Sequence, residues 1–242
     1  PHPALDRRLS RIAFGCCADS EKPQPIWEQV LARRNALFIF LGDNIYGDSR
    51  DMGVLAAKYA QLAAIPGFAK LRETTPLVAM WDDHDFGEND AGGEYPMKDA
   101  SRRLFLDFWG EPADSPRRER RGTPIAFGRF ARQLAMPAEL RLFASSLQVL
   151  ADFTGWESWV NFAHDRDRLF DVIRRQRANG VVFLSGDIHY AELSKYALNL
   201  PYPMWDLTSS GLTEEWRVPT PNANRASEVV ADANFGHVDI DW

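Results

Sequence analysis

Three stretches of this chain place carboxylates and imidazoles directly after an apolar run. They are Gly42-Asp43-Asn44-Ile45-Tyr46 after Leu37-Phe38-Ile39-Phe40-Leu41, Asp82-Asp83-His84-Asp85 after Leu77-Val78-Ala79-Met80-Trp81, and Gly186-Asp187-Ile188-His189 after Val181-Val182-Phe183-Leu184-Ser185. Carboxylates gathered at one place repel one another and resist ionising unless cations compensate them, so the pattern points to a catalytic metal site with more than one ion. Asp43 offers two oxygens able to bridge two metals, and Tyr46 offers a phenol. With an ordinary pKa of about 10, a phenol is a sensible ligand only for a strongly Lewis-acidic ion, which favours iron(III) over magnesium. The competing reading of Tyr46 is a buried structural tyrosine bonded to backbone.

In the second stretch Asp83 is the expected ligand. His84 is then free to point at the substrate as an acid for the leaving group, with Asp85 orienting its ring. A solvated acidic turn is the alternative. In the third stretch, residues two apart share a face of an extended chain, so Asp187 and His189 can serve one centre together. Cys16 and Cys17 follow a fourth apolar run, Arg11-Ile12-Ala13-Phe14-Gly15, and read either as small buried hydrophobes or as a thiolate ligand for iron or zinc. In an extended chain only one of them faces the site, and the residues alone do not choose. His2, His164 and His237 read as structural or exposed, and no G-x-G-x-x-G follows the first strand, which disfavours a dinucleotide enzyme.

The elements that must position these residues follow from the patterning. Continuous apolar runs of this length read as strands buried on both faces, and ligands in such sheets gather at the carboxyl ends of the strands. Helical spacing appears from Pro25 to Arg34, from Met52 to Leu62 with Pro66-Gly67 breaking it, from Lys98 to Trp109 and from Arg166 to Arg177. Residues 87–96 are a Gly, Asp, Asn and Glu-rich loop suited to holding a ligand, and residues 112–124 form a charged, proline-bearing connection. A strand is predicted over residues 140–149, a strand end at 207–211 and a half-exposed strand at 235–242.

Composition bounds the class. With 242 residues, 45% of them hydrophobic and 26% charged, the chain reads as one globular domain, which suits a soluble enzyme and excludes a largely disordered chain. A formal charge of -6 argues against a nucleic-acid-coating surface, and the basic run from Arg117 to Arg121 reads as a solvated loop. No apolar stretch reaches the roughly 20 residues that cross a bilayer. The chain opens at Pro1 rather than Met, so a leader could have been cleaved or omitted, and the adjacent cysteines give no disulfide framework.

Taken together, the chain resembles the PhoD-like alkaline phosphatases among the calcineurin-like metallophosphoesterases. The likeness runs from Arg11 to Trp242 through Phe14-Gly15-Cys16-Cys17-Ala18-Asp19, Leu41-Gly42-Asp43-Asn44-Ile45-Tyr46-Gly47-Asp48, Trp81-Asp82-Asp83-His84-Asp85, Ser185-Gly186-Asp187-Ile188-His189-Tyr190-Ala191-Glu192 and Asn234-Phe235-Gly236. The resemblance implies an α/β four-layer sandwich, two stacked mixed sheets flanked by helices. It also implies an iron(III) and calcium centre, with zinc or manganese as alternatives, that hydrolyses phosphate monoesters or diesters. Cys17 matches the iron-binding cysteine, Asp43 the bridging ligand, Tyr46 the iron-bound phenol, Asp83 a second-metal ligand and His84 the catalytic imidazole. Asp187 and His189 match the last ligand pair, and Asn89 an active-site asparagine. Cys16 falls where a serine is usual. Between Phe130 and Leu140 the family's L-D-T-R strand and Trp-containing helix are not found, so the segment at 127–140 is shortened or lacks residues.

The implied substrate is a small-molecule or lipid phosphate ester, attacked in line by hydroxide that the cations generate. A phosphodiesterase or phospholipase D-like hydrolase on the same site is the alternative, and a catalytically silent metal-bearing module is the alternative from another class. The resemblance favours a periplasmic or secreted protein, with a cytoplasmic one left open.

Overall fold

The computed structural model describes residues 8–119, 127–198 and 200–242, so His2, Arg120 and Arg121 lie outside the described residues. The first apolar run forms β1 (Arg11–Gly15), followed by α1 (Ile26–Ala32) and β2 (Leu37–Leu41), with β1 and β2 parallel. Next come α2 (Met52–Ala64), α3 (Pro66–Thr74) and β3 (Leu77–Met80), the last parallel to β2. Pro66 does interrupt α2, yet it also starts α3 from the first helical turn, where its missing N–H costs nothing. The Asp83-His84-Asp85 stretch opens a one-turn helix, α4 (Asp83–Phe86), and α5 (Lys98–Phe108) and α6 (Phe127–Leu134) follow.

The second half supplies β4 (Arg141–Ala144), α7 (Ala163–Arg175), β5 (Val181–Ser185), β6 (Ala191–Tyr196), β7 (Met204–Ser209) and β8 (Gly236–Asp239). One sheet runs β3-β2-β1-β8 with β8 antiparallel, and the other runs β4-β5-β7-β6 with β6 antiparallel. No strand lies between Phe130 and Leu140 among the described residues, so the second sheet ends at β4. The strand predicted over 140–149 is shorter and ends at Ala144; Ser145 and Ser146 still bond to Leu184 and Gly186, and further on the amides of Val149 and Leu150 turn to the Asp206 carboxylate.

Alternation along the strands produces the layers. Ala13, Phe38 and Phe40 face a core shared with Trp27, Leu55, Leu62, Phe68 and Phe105 from the helices. Their sequence neighbours Phe14 and Leu41 turn to the opposite face and pack with Leu184 of the other sheet. Val181 and Phe183 carry the outer face of the second sheet, against Leu169, Phe170 and Ile173 of α7. The order is helix, sheet, sheet, helix, as expected. Strand β6 escapes a reading by hydrophobicity because its polarity is inverted. Glu192 and Ser194 are buried and Leu193 is exposed, since Gln148, Asn222 and Arg225 satisfy the Glu192 carboxylate inside.

Candidate metal centre

The carboxyl ends of β1, β2, β3 and β5 converge, and the backbone there is held in unusual conformations. Among the described residues, eight non-glycine positions have positive φ, and six of them are Cys17, Asp43, Asp48, Asp90, Asp187 and His189. Such conformations cost free energy and collect where surrounding structure enforces a particular side-chain placement. Gly42 makes the turn off β2 at φ 115°, and a Cβ there would lie 2.6 Å from the Asp82 Cβ. The backbone of this turn is laced to the β1 end, with the Ala18 amide donating to the Asp43 carbonyl at 2.9 Å. The Asp187-Ile188-His189 segment is not extended as expected. Asp187 has φ 77° and His189 φ 60°, so the chain coils between them, and each joins a different group of potential ligands.

Those groups share one residue. A ligand atom from each of Cys17, Asp43 and His189 lies within 4.8 Å of the others, and the same holds for Asp43, Asp82, Asp83 and Asp187. Tyr46 borders the first group, its hydroxyl 3.2 Å from His189 Nε2. Of the two thiols, Cys17 Sγ joins the group, while Cys16 Sγ accepts the Asp187 amide at 3.2 Å. Burial, followed by neighbouring negative charge, pushes the Asp43, Asp82 and Asp187 carboxyls well up. The Cys17 thiol and Tyr46 phenol are likewise pushed up, mainly by burial, which lowers His189 and favours its neutral, metal-ligating form. Asp43 Oδ1 and Asp82 Oδ2 are buried without a hydrogen-bond partner among the described residues. Orphaned acceptors beside thiol, imidazole and further carboxylates are the arrangement that cations complete, so the residues fit a centre of more than one metal.

His84 lies beside this cluster, within the same distance of Asp43 and Asp83. Its Nδ1 is 2.7 Å from Asp48 Oδ1, and its ring packs at 4.2 Å from the Tyr46 ring. The expectation that Asp85 orients this ring is corrected. Successive residues of a helical turn point in different directions, and Asp85 is fully buried on the inner side. There it accepts bonds from Asn44, Ile45, Tyr59 and Asp82, leaving Asp48 as the partner of His84. Asn89 lines the pocket, and its backbone amide also donates to Asp48.

The pocket over the centre is lined by Asp43, Asp83, His84, Asn89, Asp187 and His189, and also by Asp90, Trp156, Glu157, Ile188 and Trp216. Sequence reasoning missed the tryptophans, Glu157, Asp90 and the role of Asp48. Asp48 had a signal, a polar residue in the turn right after Tyr46, whereas Trp156 and Trp216 sit in irregular segments with no periodicity to reveal them. A hydrogen bond shared with Asp90, reinforced by burial, pushes the Glu157 carboxyl up to about 7.

No family model matches the chain, and no curated protein matches its sequence. Solved structures do resemble it. The structure of PhoD aligns over 99% of this chain at 14% identity with a TM-score of 0.71. GAP50, the anchor in the inner membrane complex of Plasmodium, aligns over 96% of this chain and 81% of its own at 11% identity and TM-score 0.56. A dimetal phosphatase from Danio rerio aligns over 86% of this chain and 89% of its own at 12% identity and TM-score 0.54. These likenesses show a metallophosphoesterase-type fold. The chain spans 65% of the length of the PhoD chain.

Proposed function

We propose that the chain is a metal-dependent phosphoric ester hydrolase, of the PhoD-like alkaline phosphatase kind, acting on phosphomonoesters, phosphodiesters or both. The observation that carries this reading is the position of Asp43. It belongs at once to a thiol and imidazole group with Cys17 and His189 and to a carboxylate group with Asp82, Asp83 and Asp187, and one of its buried oxygens has no partner among the described residues. The first group, with Tyr46, suits a strongly Lewis-acidic ion such as iron(III). The second, with Asn89 nearby, suits an oxygen-preferring ion such as calcium. Zinc or manganese would also be held by this donor set. Bound cations would supply a hydroxide nucleophile near neutral pH and neutralise charge on the phosphoryl oxygens.

The chain's own residues do the rest. Asp48 engages His84 Nδ1 and leaves Nε2 for the pocket, where it hands a proton to the departing alkoxide. The Tyr46 ring packs against the imidazole and limits its rotation. No side chain is asked to become a covalent nucleophile. The PhoD and dimetal phosphatase neighbours favour this reading, and because GAP50, described as an anchor, shares the fold, the reading rests on the site residues.

The test is elemental analysis of purified protein together with rates on p-nitrophenyl phosphate and bis-p-nitrophenyl phosphate. Iron with calcium and turnover of the monoester are expected. A much faster diester rate would make the enzyme a phosphodiesterase, and no turnover with both metals supplied would leave a metal-holding module.

A further inference from the structure

The pocket over the metal centre has a second wall that the proposed chemistry does not use. Trp156 and Trp216 remain 50% and 43% exposed, with their rings edge to face and their centroids 5.9 Å apart. Both are anchored through their backbones. The Trp216 amide donates to the His189 carbonyl at 2.9 Å, and Asn161 Nδ2 donates to the Trp156 carbonyl at 2.7 Å. Their backbones are thus held beside the candidate centre, while the half-exposed indoles line the pocket and contribute little to the core. Lining the same pocket are Asp90 and Glu157, whose carboxyls share a hydrogen bond.

Charge balance then becomes informative. Among the described residues no Lys or Arg lines the pocket, although five carboxyl groups do. Cations held by Asp43, Asp83 and Asp187 would answer those three groups and the phosphoryl oxygens, but the Asp90 and Glu157 pair, even while it shares a proton, would keep a negative charge with no positive partner among the described pocket residues. Indole faces attract cations through the ring quadrupole, and a quaternary ammonium is weakly enough hydrated to give up its water to them. Surplus carboxylates beside such faces add a longer-range attraction.

We propose that Trp156, Trp216, Asp90 and Glu157 form a leaving-group subsite for an organic cation, so that the preferred substrates are phosphoric esters of amino or quaternary-ammonium alcohols. The idea of a leaving group rests on the hydrolase reading above. The cation subsite itself does not.

Calorimetric titration of the metal-loaded protein with choline and with its neutral carbon isostere, 3,3-dimethylbutanol, separates charge recognition from plain hydrophobic contact. Choline is expected to bind about tenfold or more tightly than the isostere. Trp216→Ala should abolish that preference, Trp216→Phe should keep most of it, and, in titrations run above pH 7 where Glu157 is ionised, Glu157→Gln should weaken choline alone. KM for phosphocholine should be correspondingly lower than for 3,3-dimethylbutyl phosphate. Equal affinity for the two alcohols, or choline binding indifferent to both Trp216→Ala and Glu157→Gln, overturns the proposal. Choline binding without turnover of any ester would sink the hydrolase reading and leave the subsite standing. Ester turnover with no preference for the cation would do the reverse.

Discussion

Asp85 accepts the backbone amide of Asn44 on both carboxylate oxygens, at 3.0 Å each, and so ties the turn carrying Asp43 and Tyr46 to the turn carrying Asp83 and His84. The Asn44 side chain at 2.9 Å, the Tyr59 hydroxyl at 3.1 Å and the Asp82 amide at 3.3 Å complete a cage made entirely of donors. Desolvation nevertheless outweighs these bonds and moves the carboxyl from its ordinary 3.8 up to about 6.

The folded protein therefore holds this proton more tightly than the unfolded chain does. As pH rises through the window between those two values, ionising the buried group subtracts from stability, and the loss is recovered as pH falls. Asp85→Asn removes that slope. Its amide also sets donors against donors, at a cost of about 2–4 kcal/mol. In urea unfolding, the variant should be less stable than the wild type by a gap that narrows as pH rises through the window. A gap that stays constant with pH would show that Asp85 does not titrate in this way.

Asp43→Ala should remove the one residue common to both groups of potential ligands. Metal content should fall, and kcat should drop on the order of a thousandfold, because hydroxide generation and charge neutralisation are both impaired. Elemental analysis and steady-state rates on the same preparation check this. Full metal content with near-normal turnover would take Asp43 out of its bridging place.

Much of this site was legible in the chain, for a physical reason. An apolar run marks a strand, so ionisable residues directly after it mark the strand end, and the structure brings Asp43, Asp83, Asp187 and His189 together there. The run before Asp83 is not buried on both faces as expected, because β3 is an edge strand with Val78 exposed. Less legible were the residues whose role depends on backbone torsion. Extended geometry could not choose between Cys16 and Cys17, whereas φ 65° at Cys17 accompanies a thiol placed among the ligands. Asp85 looked like a partner for His84 because it is one residue away, but neighbouring side chains diverge in a helical turn, and the buried donors around Asp85 hold it on the inner side. Strand β6 was hidden because its buried positions, Glu192 and Ser194, are polar.

His84→Ala should slow substrates with poor leaving groups most. A simple alkyl phosphate needs its alkoxide protonated and should lose on the order of a hundredfold or more in kcat, whereas p-nitrophenolate departs without help and should lose less. Asp48→Asn should shift the same way, more weakly, since it disturbs the Nδ1 contact at 2.7 Å and leaves the imidazole in place. Equal losses on both substrates would remove His84 from the acid role and point to it as a metal ligand, which its distance to Asp43 and Asp83 also permits.

The pocket wall depends on a buried carboxylate on β7, outside the groups of potential ligands. Asp206 Oδ2 accepts the amides of Val149 and Leu150 at 2.7 and 2.9 Å, and its Oδ1 accepts the Ser185 hydroxyl at 2.7 Å. These bonds fix the start of the segment that leads to Trp156 and Glu157. Asp206→Ala would strand two buried amides at about 1–3 kcal/mol each, so a loss of roughly 2–6 kcal/mol is expected in urea unfolding. Asp206→Asn should recover most of it. One amide oxygen suffices for both backbone donors, and the new NH2 can donate to Ser185, whose hydroxyl then turns to Thr208 at 2.8 Å. Burial already pushes the Asp206 carboxyl up, so a neutral side chain carries no added desolvation cost. If Asp206→Asn proves as damaging as Asp206→Ala, the negative charge rather than the acceptor geometry holds this segment.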